Sequence, residues 1–127
     1  MTQRLTAVAL VVPEYDAAIE FFCGVLGFHL IEDTDQGASR WVTVAPAGGG
    51  VRLVLARAEG ARQVAAVGDQ AGGRVWLFLQ TDDFARDHAR MLAAGVVFEA
   101  APRHEVYGIV AVWRDPFGNR WDLIEPV

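Results

Sequence analysis

The chain has 127 residues, 53% of them hydrophobic, with eleven basic and sixteen acidic side chains and a net charge of −5. That length is one domain of common size, with enough apolar material for a real core. No basic cluster is interleaved with aromatics, which argues against nucleic acid, and no run approaches the ~18 apolar residues of a membrane span.

Arg4–Val12 reads as a first strand, with Val8, Leu10 and Val12 on one face and Ala7, Ala9 and Val11 on the other. Pro13 ends it, and Asp16 is placed to cap a helix. Tyr15, Ile19, Phe22 and Leu26 then recur at helical spacing up to the helix stop Gly27. Phe28–Asp35 and Arg40–Ala45 read as two strands. The run Gly48-Gly49-Gly50 turns into the strand Val51–Ala56. It does not lead from a strand into a helix, so it is not a phosphate loop.

Arg57–Gly73 reads as a linker rich in Ala and Gly, with one helical turn near Gln63–Val67. Arg74–Thr81 is a strand, and Asp82 or Asp83 caps a helix carrying Phe84, His88, Met91 and Leu92 on one face. Val96–Ala100 is a short strand and Pro102–Glu105 a loop. Val106–Trp113 and Arg120–Glu125 are strands flanking the turn Asp115-Pro116-Phe117-Gly118-Asn119.

This order says nearly the same thing twice. The helix-stop glycines Gly27 and Gly95 lie 68 positions apart, each between an amphipathic helix and strand-rich sequence. Two copies are too few for a solenoid. They predict an α+β fold in which two βαβββ modules, about 4–57 and 74–127 with a linker at 58–73, form one pseudo-symmetric domain. Its curved mixed sheet would surround a cavity, where function is expected. The single cysteine, Cys23, cannot form an internal disulfide and reads as a small hydrophobe. All eleven basic residues are arginine, which suggests a GC-rich bacterial genome. Leu5–Val12 is too short for a signal core and is stopped by Pro13-Glu14, so a cytoplasmic location is expected.

Several segments carry a family resemblance: Ala7–Val12 (AVALVV), Ala18–Gly27 (AIEFFCGVLG), Thr81-Asp82-Asp83-Phe84, Tyr107-Gly108 and, most specifically, Asp115–Leu123 (DPFGNRWDL). The chain resembles the vicinal oxygen chelate superfamily. That group includes glyoxalases, extradiol dioxygenases, fosfomycin-resistance enzymes and bleomycin-binding resistance proteins. In its metal-dependent members, His, Gln or Glu side chains from four strands hold a divalent ion. Those positions fall here on Ala7, Val54, Trp76 and Asp122. Three of them bring no suitable donor, and a catalytic site needs about three protein ligands plus an open position. The resemblance therefore implies a member without metal or other cofactor. His29, His88 and His104 match no ligand spacing either.

By the family geometry, Arg52, Trp76, Phe78, Gln80, Arg120 and Asp122 line the concave face, with Trp41, Trp113, Tyr107 and His104 adding to its wall. His88 is a further pocket-lining candidate. Arg52 and Arg120 hold equivalent places in the two modules, where either could pair with Asp122 or grip a ligand anion. An aromatic cavity with few polar groups suits a small molecule. The reading is a homodimer that sequesters an aromatic or amphipathic compound, as the bleomycin-type resistance proteins do, with no catalytic residue assigned. The alternative is a lyase, isomerase or dioxygenase of the same superfamily. That reading needs an atypical metal site, or metal-free proton transfer by Asp122, His104 or Tyr107.

Overall fold

A computed structural model describes residues 2–127. The chain is α+β and divides into two compact units, the first ending at Val67 and the second running Gly68–Val127. Each unit contains one mixed sheet.

In the first unit, β1 (Ala7–Val12), β2 (His29–Asp35), β3 (Arg40–Ala45) and β4 (Arg52–Arg57) form a sheet of order β1-β4-β3-β2. β1 and β4 are parallel, and the β2–β3 and β3–β4 pairs are antiparallel. Alternation sorts the side chains as expected. Leu10, Val12, Leu53, Leu55, Val42 and Val44 are buried on one face, against Ala18 and Phe22 of the preceding helical segment. β2 is an edge strand, bulged between Leu30 and Glu32 and exposed along its whole length.

The helical segment departs from the 3.6-residue reading. Only Tyr15–Ile19 (α1) is α-helical; Glu20–Val25 is a π-turn in which the Leu26 N–H donates to the Phe21 carbonyl. The wider turn rotates the inward stripe. Tyr15, Ala18, Phe21 and Phe22 are buried, while Ile19 and Leu26 of the expected stripe are only half-buried. Asp16 does not cap the helix: the capping position is Glu14, whose side chain makes no capping bond. Gly27 and Gly95 both sit at positive φ, the left-handed conformation that ends a helix. The linker carries a complete helix, α2 (Gly60–Ala66).

The second unit contains β5 (Val75–Gln80), α3 (Phe84–Ala93), β6 (Val97–Phe98), β7 (Arg103–Glu105), β8 (Gly108–Arg114) and β9 (Arg120–Pro126). The sheet order is β5-β9-β8-β6, with β7 also paired to β8. The segment read as a loop at Pro102–Glu105 therefore supplies a strand. Asp83 caps α3, its carboxylate accepting from the Arg86 N–H. Phe84 and Met91 of α3 are buried, as are Trp121 and Leu123 of β9 and Ala111 and Trp113 of β8. The Glu125 carboxylate accepts from the Phe84 N–H at 2.8 Å and pins the start of α3 to β9.

Asp115 organises the β8–β9 turn. It accepts from the Phe117 and Asn119 backbone N–H groups, from Asn119 Nδ2 and from Trp121 Nε1, all at 2.9–3.0 Å. This turn is also a packing surface for Gly68. A Cβ there would meet the Phe117 carbonyl oxygen and lie 3.1 Å from its carbon, and Gly68 has φ +74°. Among the described residues, no helix is long and apolar enough to cross a membrane.

Candidate functional site

Strand register decides which side chains share the sheet face away from α3. Phe78 of β5 and Val112 of β8 flank Asp122 of β9 in one row; Gln80 and Val110 flank Ile124 in the next. Phe78 and Gln80 are exposed, Phe78 to 66%. Trp76 lies at an irregularity of β5, between Val75 (opposite Arg120) and Leu77 (opposite Trp121), and is half-buried. It lines a cavity of about 190 Å³ with Arg74, Arg114, Asn119 and Arg120.

Glu99 ties this face together. Its backbone N–H donates to the Val112 carbonyl, and its carboxylate accepts from Arg120 Nε at 2.7 Å and Nη2 at 2.9 Å. Arg114 Nε approaches the same carboxylate at 3.0 Å. The Arg120 hydrogen bonds, aided by the charges of Arg120 and Arg114, hold the Glu99 carboxyl below the usual range. Arg120 also donates to the Gly73 carbonyl. Its partner is thus Glu99, not Asp122.

Asp122 is different. Its Oδ1 is buried and has no hydrogen-bond partner in the protein. Burial pushes its carboxyl above the ordinary range, against the opposing pull of Arg103 and Arg120 and with a further push from Glu99.

Two residues expected on this face lie elsewhere. Trp113 is opposite Trp121, in the row on the α3 side, and is fully buried. It is core. His104 is opposite Ile109, which is opposite Glu125, the residue that holds α3. Its neighbour Arg103, opposite Val110, shares the Asp122 face instead. Tyr107 is half-exposed in the β7–β8 turn, where its carbonyl accepts from the Val127 N–H. His88 packs on the helix side, its ring 5.3 Å from Phe84 and 4.7 Å from Phe98.

In the first unit, the equivalent face carries Ala9, Val54, Thr43 and Glu32 across four strands, with Ala7 beside Arg52. The Glu32 carboxylate accepts from Trp41 Nε1 at 2.6 Å and Thr43 Oγ1 at 3.1 Å, and Arg52 lies 3.9 Å away. The Trp41 and Thr43 hydrogen bonds lower its carboxyl below the usual range. The Trp41 ring is 41% exposed. The sequence reading missed Glu32, Glu99, Arg103 and Arg114.

The residues at the family's metal positions do not fit a divalent ion. Ala7 and Val54 carry no donor, and the Trp76 indole nitrogen is donor only. Among the described residues, no group of three or more His, Cys, Asp or Glu side chains could hold a metal.

With two βαβββ-type units and this open face in view, the family can be stated. The chain belongs to the Glyoxalase/Bleomycin resistance protein/Dioxygenase superfamily, whose family model matches residues 4–123. It is 51% identical over 128 residues to an uncharacterised protein of Shewanella frigidimarina (strain NCIMB 400), covering 98% of this chain and 95% of that one. Among solved structures it is similar to UcmS2, with TM-score 0.84, 28% identity and 98% of each chain covered. It is also similar to TnmS3, an antibiotic binding protein from Streptomyces sp. CB03234. There the TM-score is 0.80 at 28% identity, covering 99% of this chain and 98% of that chain.

Proposed function

We propose that this protein binds and sequesters an aromatic or amphipathic small molecule, without a metal and without chemistry on its ligand. The observation that carries the reading is the exchange of residue types on the corresponding sheet faces of the two units. Where the family's metal-dependent members place ligands, this chain has Ala7, Val54 and Trp76. The same face of the second unit offers the exposed Phe78 ring and the Trp76 cavity, bordered by charged groups. Aromatic surface with a few oriented polar groups is what a small-molecule site requires. The similarity to an antibiotic binding protein supports the same reading. Trp76, Phe78, Gln80, Arg120 and Asp122 form the proposed site in the second unit; Arg52 and Trp41 are the candidates on the corresponding face of the first unit. Tyr107 borders it. The working form is a cytoplasmic homodimer.

The test uses tryptophan fluorescence of folded wild type and Trp76→Phe against a panel of planar drugs. The expected result is quenching of wild type that is weakened in the variant. Ring stacking adds about 0.5–1.5 kcal/mol beyond area burial, so Trp76→Ala should weaken binding by about tenfold. A panel that quenches neither protein, or both alike, overturns the reading. So does one equivalent of zinc, iron, nickel or manganese in the purified protein together with a chelator-sensitive activity, which would favour the lyase, isomerase or dioxygenase alternative.

A further inference from the structure

Positive charge gathers at one place on an acidic chain. The protein carries a net charge of −5, yet Arg74, Arg114 and Arg120 all line the cavity of about 190 Å³ that Trp76 borders. The nearby carboxylates do not balance them. Glu99 pairs with Arg114 and Arg120 from outside the lining, and Asp69 is the one acidic residue within it. Counted in full, these two carboxylates still leave one positive charge over.

The lining is also rich in donors. A guanidinium has five N–H bonds and no acceptor. Arg120 gives Nε and Nη2 to Glu99 and Nη1 to the Gly73 carbonyl. Arg114 gives Nε to Glu99 and Nη1 to the Gly118 carbonyl. Arg74 is exposed, and its side chain makes no ion pair or hydrogen bond among the described residues. Its backbone N–H donates to the Ala71 carbonyl. Trp76 brings an indole N–H that can only donate, while the Asn119 amide nitrogen is already held by Asp115. Surplus positive charge and surplus donors select an acceptor that carries negative charge. The planar fork of an arginine matches a carboxylate two bonds at a time.

Size sets how much of a ligand enters. Sites for whole drug-sized ligands run to about 300–1,000 Å³, so a cavity of about 190 Å³ takes a headgroup only. Trp76 and Arg120 belong both to this cavity and to the proposed face. A body attached to the headgroup therefore meets the Trp76 ring, where an aromatic system can stack. We infer that this cavity is the headgroup subsite for an aromatic carboxylate or comparable oxyanion, with Arg74 as the guanidinium that meets it. The inference rests on the sequestration reading and narrows it: the ligand is an aromatic anion, not a neutral or cationic aromatic.

Three probes of one ring system test it by calorimetric titration at neutral pH: 1-naphthoate, 1-naphthalenemethanol and 1-naphthylmethylamine. Wild type should bind 1-naphthoate about tenfold or more tightly than either other probe, the range expected for hydrogen bonds between charged groups. Added salt should narrow that margin. Arg74→Gln, shown folded by thermal melting, should lose the preference by weakening 1-naphthoate alone. Arg62→Gln removes the same charge from the exposed surface of α2, outside the lining, and should keep it. Backbone amide shifts at Arg74 and Gly118 should move with 1-naphthoate in wild type. These shifts and the wild-type preference need no variant, so they decide the matter even if Arg74→Gln fails to fold.

Equal affinity of wild type for 1-naphthoate and 1-naphthalenemethanol overturns the inference and leaves the sequestration reading standing. So does a preference that survives in folded Arg74→Gln. An equal loss in Arg62→Gln overturns the subsite too, because the preference is then a property of the whole chain's charge. Tightest binding of the amine overturns the anion class in favour of a cation site. Failure of all three probes to bind, with no shift at Arg74 or Gly118, overturns the inference and counts against the sequestration reading itself.

Discussion

Trp113 and Trp121 lie opposite each other on β8 and β9 and stack, their ring centroids 4.8 Å apart and their planes at 21°. Trp113 is the largest fully buried side chain of the fold. Trp113→Ala should cost about 3–5 kcal/mol, the range for emptying an aromatic core site. Urea denaturation reads this as a lower midpoint. Affinity of the remaining folded protein for a ligand should stay as in wild type, because the ring faces α3.

Gly68→Ala should destabilise by about 1–3 kcal/mol, since a non-glycine residue would hold a left-handed conformation while its Cβ pressed on the Phe117 carbonyl. Gly72→Ala is the control. It has the same sign of φ, at +64°, but open space around its Cβ, so it should cost less. Thermal melts of the two variants side by side check the difference.

Asp122→Asn should raise the melting temperature at neutral pH. Burial raises the folded-state pKa of Asp122 above its unfolded value. The stability linked to this group is therefore complete below the unfolded pKa and lost as pH rises through the folded one. Asparagine does not ionise and escapes that loss. The gap between variant and wild type should open as pH rises out of the ordinary carboxylate range and close in acid. Calorimetric scans from acid to neutral pH should follow it; a gap independent of pH refutes the assignment.

The proposed homodimer should sediment as one species of twice the 13.8 kDa chain mass at micromolar concentration. A closed two-fold pair is the common solution for a small oligomer. A clean monomer contradicts it.

Much of the architecture was legible because it is written locally. The apolar alternation of β1 and β5, the stops at Gly27 and Gly95 and the Asp115–Asn119 turn all depend on near neighbours. The site was less legible because faces depend on register. The bulge at Leu30/Glu32 reverses parity along β2, so Glu32 could not be assigned to the Thr43 side by counting. β7 read as a loop, which hid that Arg103, not His104, shares the Asp122 face. Glu99 stands 21 positions from Arg120, and nothing local joins them.

β2 carries a last consequence, for the protein's behaviour in a crowded solution. It is an edge strand with unpaired backbone, the kind of surface on which chains nucleate ordered aggregates. Its guard is the acidic set Glu32, Asp33 and Asp35, together with the bulge. Hydrogen bonds from Trp41 to Glu32 and from Arg40 to Asp33 keep those two carboxyls ionised below the usual range. The electrostatic guard therefore outlasts mild acidification. Once both carboxyls take up protons, their part of the guard is lost beside the exposed Leu30 and Ile31, and turbidity should rise in a pH window more acidic than the composition of the strand alone would suggest.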